Sequence, residues 1–117
     1  MKKLFLYALL TFSFAISAQE KDKNLPKGND DFKEKKYAEA EAEYRISASK
    51  TPAKAISSYN LGNTIYRQKQ PSEAKLAYVK SIENAKTKPE KYRAYHNLGN
   101  IFMTEKKYSD AVEAYKN

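Results

Sequence analysis

The sequence has no cysteine, one histidine and only three glycines in 117 residues. Without cysteine there can be no disulfide, no thiolate metal site and no cysteine nucleophile. The lipid-bearing cysteine of a bacterial lipoprotein is missing too. The lone histidine, His96, has no second imidazole or thiolate with which to build a tetrahedral metal site. Its nearest acids in sequence, Glu90 and Glu105, fall at opposite ends of its segment. No Ser-His-Asp arrangement, zinc spacing or phosphate-cradling glycine loop occurs. Glu39, Glu41 and Glu43 do not form a catalytic carboxylate pair: on a helix, residues two apart point in different directions, and Glu39 and Glu43 share a solvated face. The chain is therefore expected not to be an enzyme and to need no cofactor or metal.

Long apolar runs are also scarce, and the single one lies at the start. Lys2 and Lys3 precede residues 4–16, which are apolar except for Thr11 and Ser13. Ser17 and Ala18 follow, then a polar stretch from Gln19. Positive start, short apolar core and small residues form a secretory signal peptide, expected to be cleaved after Ala18. The core is too short for a spanning helix, which needs about 20 residues. Residues 19–24 read as a polar linker. Loss of residues 1–18 takes two lysines and no acid, lowering the formal charge from +8 to +6 over 99 residues. Export argues against a nucleic-acid partner, and scattered lysines such as Lys33, Lys69, Lys75 and Lys107 read as a solvated surface. The basic balance can still steer acidic partners.

The chain also repeats itself. Gly28-Asn29 recurs as Gly62-Asn63 and Gly99-Asn100. Twelve residues after each glycine stands an alanine (Ala40, Ala74, Ala111), and four further on a tyrosine (Tyr44, Tyr78, Tyr115). Ser47 and Ser81 extend the match in the first two copies. The glycines are 34 and 37 residues apart, and the three extra residues sit in the stretch 84–88. An insertion confined to a loop leaves flanking helices intact. Thr51-Pro52 reads as a helix cap with proline in the first turn, and Thr87 with Glu90 as a capping box. Asn24 is expected to cap a shorter first helix. No two-residue alternation suggests a strand, so the expected class is all-α.

These landmarks resemble the tetratricopeptide-repeat (TPR) family, whose repeat runs through a large aromatic, Leu-Gly and an aromatic, then alanine and an aromatic, closing on proline at a period of 34. Tyr95, Leu98-Gly99, Phe102, Ala111 and Tyr115 match it. Leu61-Gly62, Ile65, Ala74 and Tyr78 match it too, with Ser58 at the large-aromatic place. The first copy keeps Gly28, Ala40, Tyr44 and Pro52 and lacks the leucine. The resemblance covers residues 25–117 and implies an α-solenoid of about three helix-turn-helix repeats, 25–51, 52–88 and 89–117. The third lacks the end of its second helix, so the chain reads as a fragment of a longer protein. Solenoids bury their core between neighbouring repeats.

The resemblance also implies a concave groove lined by first-helix side chains: Asn29, Asn60, Asn63, Tyr66, Arg93, Asn97 and Asn100. Asparagine donates and accepts, so a row of them can bond an extended peptide backbone whatever its sequence, and Tyr66 adds apolar area with a polar tip. The clamp by which some TPR domains hold a terminal carboxylate is not reproduced. Asn29 and Asn60 match it and Arg93 replaces a lysine, but Leu25 and Asn97 stand where it needs lysine and arginine. Tyr44, Tyr78, Tyr95, Tyr108 and Tyr115 fall at core phases.

The lysine-led leader, the opening residues 26–33 and the run 37–41 further resemble the exported TPR proteins of bacterial aerotolerance (Bat-type) operons. That implies a scaffold or adaptor in the periplasm of a Gram-negative bacterium, binding a protein or peptide partner, a membrane-anchored protein among them, and neither nucleic acid nor a small-molecule substrate. Two other readings stay open: a TPR subunit of outer-membrane or cell-wall assembly, and the accessory domain of a longer enzyme.

Overall fold

A computed structural model describes residues 22–50 and 53–117. The leader, its cleavage point and the Thr51-Pro52 cap lie outside these residues. Six α-helices and no strand are formed among them: α1 (Asn24–Lys33), α2 (Tyr37–Ala48), α3 (Lys54–Arg67), α4 (Pro71–Asn84), α5 (Lys88–Thr104) and α6 (Tyr108–Lys116). None is long and apolar enough to cross a membrane.

The helices pair in chain order. In the first pair, Asn24 Nδ2 near the start of α1 donates to Glu43 Oε2 near the end of α2 at 2.7 Å. At the turn, the Phe32 and Tyr37 rings meet edge to face, 5.4 Å between centroids. The start of one helix thus faces the end of the other, which makes the pair antiparallel. Each helix packs against its chain neighbours, and α3 also touches α5.

One device builds all three pairs. A Cβ added at Gly28, Gly62 or Gly99 would lie 2.7, 2.6 or 2.5 Å from the ring of Tyr44, Tyr78 or Tyr115. Glycine leaves room at these places for the tyrosine ring of the partner helix to approach its backbone closely. The alanines Ala40, Ala74 and Ala111 are fully buried in the same seams. The core runs through Tyr44, Leu61, Ile65, Tyr78, Leu98 and Ile101.

The turns within the pairs repeat as well. Lys35, Lys69 and Lys106 all adopt a left-handed backbone, with φ of 61°, 62° and 60°. In the first, the Lys36 amide reaches back five residues to the Asp31 carbonyl and the Lys35 amide bonds Phe32. The other two follow the same pattern, which closes a helix with paired backward bonds. Lysine holds a conformation that glycine adopts without steric cost.

Several expectations are refined. Thr87 does cap α5: its Oγ accepts from the Glu90 amide and donates to the Glu90 carboxylate at 3.0 Å. The three extra residues fall between α4 and α5. Asn24 does not cap α1; it is the first helical residue, and its amide donates to Asp22 Oδ1 at 2.9 Å. The Asn24 side chain is instead engaged by Glu43 and Lys50. Lys75 is no solvated lysine. Its ammonium donates to Glu105 Oε1 at 2.7 Å and lies 5.4 Å from the centre of the Phe102 ring, joining α4 to the turn after α5. Tyr108 and Tyr115 sit at core phases but are 57% and 43% exposed. They belong to the last pair, where α6 packs mainly on α5 and no further helix covers its outer side in the described residues.

That asymmetry makes the glycines unequal. Gly62→Ala forces a methyl into the locked Tyr78 ring and is expected to cost about 1–2 kcal/mol, overpacking outweighing the helix-propensity gain. Gly99→Ala meets Tyr115, which has room to swing, and is expected to be close to neutral. Thermal unfolding of both variants checks the difference, and equal losses would show that ring burial does not set the cost.

Candidate functional site

The first helices of the three pairs, α1, α3 and α5, bring their asparagines to one face. A cleft of about 580 Å³ is lined by Asn63, Tyr66, Asn97 and Asn100 together with Phe32, Arg67 and Tyr78. A smaller one of about 230 Å³ adjoins it through Asn63 and Phe32, and holds Asn29, Asn60, Lys33 and Tyr44. A third, of about 580 Å³, continues from Asn97 and contains Arg93, Tyr59, Tyr92 and His96. All seven candidate residues therefore line three adjoining hollows. Among the described residues, no carboxylate side chain lines any of the three.

The asparagines follow one wiring rule. The Tyr44 hydroxyl donates to Asn29 Oδ1 at 2.6 Å, Tyr78 to Asn63 Oδ1 at 2.5 Å, and Tyr115 to Asn100 Oδ1 at 2.6 Å. A second donor reaches two of these carbonyls from the next pair. Asn60 Nδ2 bonds Asn29 Oδ1 at 3.2 Å, and Asn97 Nδ2 bonds Asn63 Oδ1 at 3.0 Å. Asn97 Nδ2 also donates to the Tyr59 hydroxyl at 3.1 Å. The residue after each glycine thus accepts from the tyrosine of its own pair, and the residue two before the next glycine donates to it across the seam.

This arrangement leaves half of each amide unused. Among the described residues, the Nδ2 groups of Asn29, Asn63 and Asn100 have no partner, and neither do the side-chain carbonyls of Asn60 and Asn97. Donors and acceptors are left over on one face, as an extended backbone requires. The expected binding role of the asparagines and a role in joining the helix pairs fall on different atoms of the same residues.

Aromatic rings and cations complete the surface. Tyr66 is 42% exposed at the mouth of the central cleft. Arg93 places its guanidinium 4.3 Å from the centre of the Tyr59 ring, a stacked cation. Arg67 and Lys33 stand on the same side. Tyr44 and Tyr78 are core residues as expected, but their hydroxyl ends reach the hollows. The signal for this was the constant step of fifteen residues from Asn29 to Tyr44, Asn63 to Tyr78 and Asn100 to Tyr115.

Burial pushes the Tyr44 hydroxyl up to about 12, and the charge of Asp31 adds to the effect. Burial also raises Tyr78, the larger of the two displacements.

No protein-family model matches the chain, and no curated protein matches it.

The two raised tyrosines give a pH prediction. Their native values lie above the ordinary 10.0, so between about pH 10 and 12 the native chain retains protons that the unfolded chain has released. Stability is then present below pH 10 and is lost as pH rises through the native values. In an alkaline titration, part of the phenolate absorbance should appear late and together with loss of helical circular dichroism. That part should vanish in a Tyr44→Phe, Tyr78→Phe variant that is still helical at neutral pH. Complete tyrosine ionisation with helix content intact would contradict the assignment.

Proposed function

We propose that the chain is an exported TPR-type scaffold that holds an extended segment of a partner protein along the α1, α3 and α5 face. The observation that carries this reading is the half-used asparagine row, with outward N–H donors at Asn29, Asn63 and Asn100 and outward acceptors at Asn60 and Asn97. Such a row reads a backbone without regard to side chains. Tyr66 supplies a rigid aromatic anchor of the kind enriched where binding energy concentrates. The cations Lys33, Arg67 and Arg93, in hollows that no carboxylate side chain lines among the described residues, favour a segment carrying negative charge.

The TPR reading is supported by helix pairs that follow one another in chain order and by the Gly-Asn-Ala-Tyr phase repeated in each. Export rests on the leader. A periplasmic adaptor beside a membrane-anchored partner, as in aerotolerance operons, is the setting that the leader and the opening residues support.

The test separates binding from folding at the level of atoms. Asn63→Asp with Asn100→Asp keeps the carbonyl-type acceptors that Tyr78, Tyr115 and Asn97 need, and removes the outward N–H groups. A photo-crosslinking residue at Tyr66 first captures and identifies the partner in envelope extract. The double variant should then bind that partner at least tenfold more weakly, since two donors are lost and two carboxylates face an acidic segment, with its stability changed by less than about 1 kcal/mol. Unchanged affinity would place the partner elsewhere on the molecule.

A further inference from the structure

The smaller hollow and the central cleft of the asparagine face are two copies of one site. Asn29, Phe32, Lys33, Tyr44, Asn60 and Asn63 line the first. In the second, Asn63 takes the place of Asn29, Tyr66 of Phe32, Arg67 of Lys33, Tyr78 of Tyr44, Asn97 of Asn60 and Asn100 of Asn63. Each step is one repeat, 34 residues or, past the insertion, 37. Both copies therefore offer the same set: an outward amide N–H, an outward amide carbonyl, an aromatic ring and a cation. Lys33 and Arg67 are exposed, and neither has a carboxylate in ion-pair reach among the described residues.

A surface that repeats fits a ligand that repeats with the same step. That step is set by the first helices, which meet directly: Asn60 of α3 bonds Asn29 of α1, and α3 touches α5. Helices in contact lie about 8–10 Å apart. A β-strand rises about 3.3 Å per residue and turns the same side outward at every second residue, so its equivalent groups lie about 7 or 13 Å apart. Neither spacing matches. A polyproline II helix has three residues per turn and rises about 3.1 Å per residue, which brings equivalent groups round every 9 Å or so. It makes no internal hydrogen bonds, so its backbone groups are free for the asparagines.

We propose that the segment held by this face is an acidic, proline-rich stretch in the polyproline II conformation, with a carboxylate at every third residue. This ligand rests on the reading of the asparagine face given above and makes it specific. Successive carboxylates meet Lys33 and Arg67. The acidic residues also supply the N–H groups that Asn60 and Asn97 accept, since proline has none. Asn29, Asn63 and Asn100 donate to the segment's carbonyls. Prolines lie on the rings of Phe32 and Tyr66, the way aromatic-lined grooves hold this helix. Their fixed φ keeps the segment in its bound form beforehand, which lowers the cost of ordering it.

The experiment titrates the isotope-labelled chain with two capped peptides of equal charge, (Glu-Pro-Pro)3 and (Glu-Pro-Pro-Pro)3, and follows backbone and side-chain amides by NMR. Both peptides form polyproline II, and the second puts its carboxylates out of phase with the repeat. The first should shift the side-chain amides of Asn60, Asn63 and Asn97 and bind about tenfold more tightly, the worth of one charge contact kept in register. Lys33→Ala with Arg67→Ala, two exposed positions, should erase that preference and leave the melting temperature nearly unchanged. Equal affinity for the two peptides, with shifts on the asparagine face, would overturn the proposal and leave the face a backbone-binding surface. So would binding of neither peptide by a chain whose captured partner is still weakened by Asn63→Asp with Asn100→Asp. A preference that survives in the Lys33, Arg67 variant would also overturn it. Shifts confined to other surfaces would overturn both readings.

Discussion

A tyrosine ring lying on a glycine, with its hydroxyl on the adjacent asparagine, is the contact that the rest of the molecule depends on. It sets the distance between paired helices, because the ring can reach the backbone only where no Cβ intervenes. It also sets their register, because the hydroxyl finds its acceptor one residue further along. The ring brings a large apolar area into the seam, and the hydrogen bond lets it do so without a buried unpaired hydroxyl. Three copies of this contact give three helix pairs of one geometry.

The asparagine then carries the arrangement outward. Its carbonyl, already holding the tyrosine, accepts the amide of Asn60 or Asn97 from the following pair, so the device that closes one pair also joins it to the next. The same residue presents its N–H group to the cleft. A row of amides fixed by packing reaches a ligand without having to be ordered first, and this preorganisation lowers the cost of binding. The last pair shows what the seam contributes: Tyr115 keeps its bond to Asn100, yet lies far more open than Tyr44 and Tyr78, which have a neighbouring helix over them.

Much of this was legible in the sequence because it repeats. The glycine, asparagine, alanine and tyrosine recur in phase at helical spacing, which gave the all-α class, while the face holding the candidate residues came from the resemblance to TPR repeats. The division of each asparagine between packing and solvent was not legible, since residue type does not say which amide atom points where. Lys75 and Glu105 are 30 residues apart in unrelated turns of the pattern, and only the packing of α4 against α5 brings them together. Asp22 took the capping role expected of Asn24 because it lies just ahead of the first turn, where its carboxylate meets a free amide. The left-handed lysines gave no signal, because glycine is the residue that marks that conformation and none stands there.

The claim that asparagines join successive helix pairs is tested most directly by a double-mutant cycle on Asn63 and Asn97, read by denaturant unfolding. Alanine at either position removes the bond across the seam, so the second replacement should cost less than it does alone. The coupling expected is about 0.5–1.5 kcal/mol, the worth of one partly buried hydrogen bond. Losses that add to within about 0.3 kcal/mol would contradict the account and leave the two asparagines as independent surface residues.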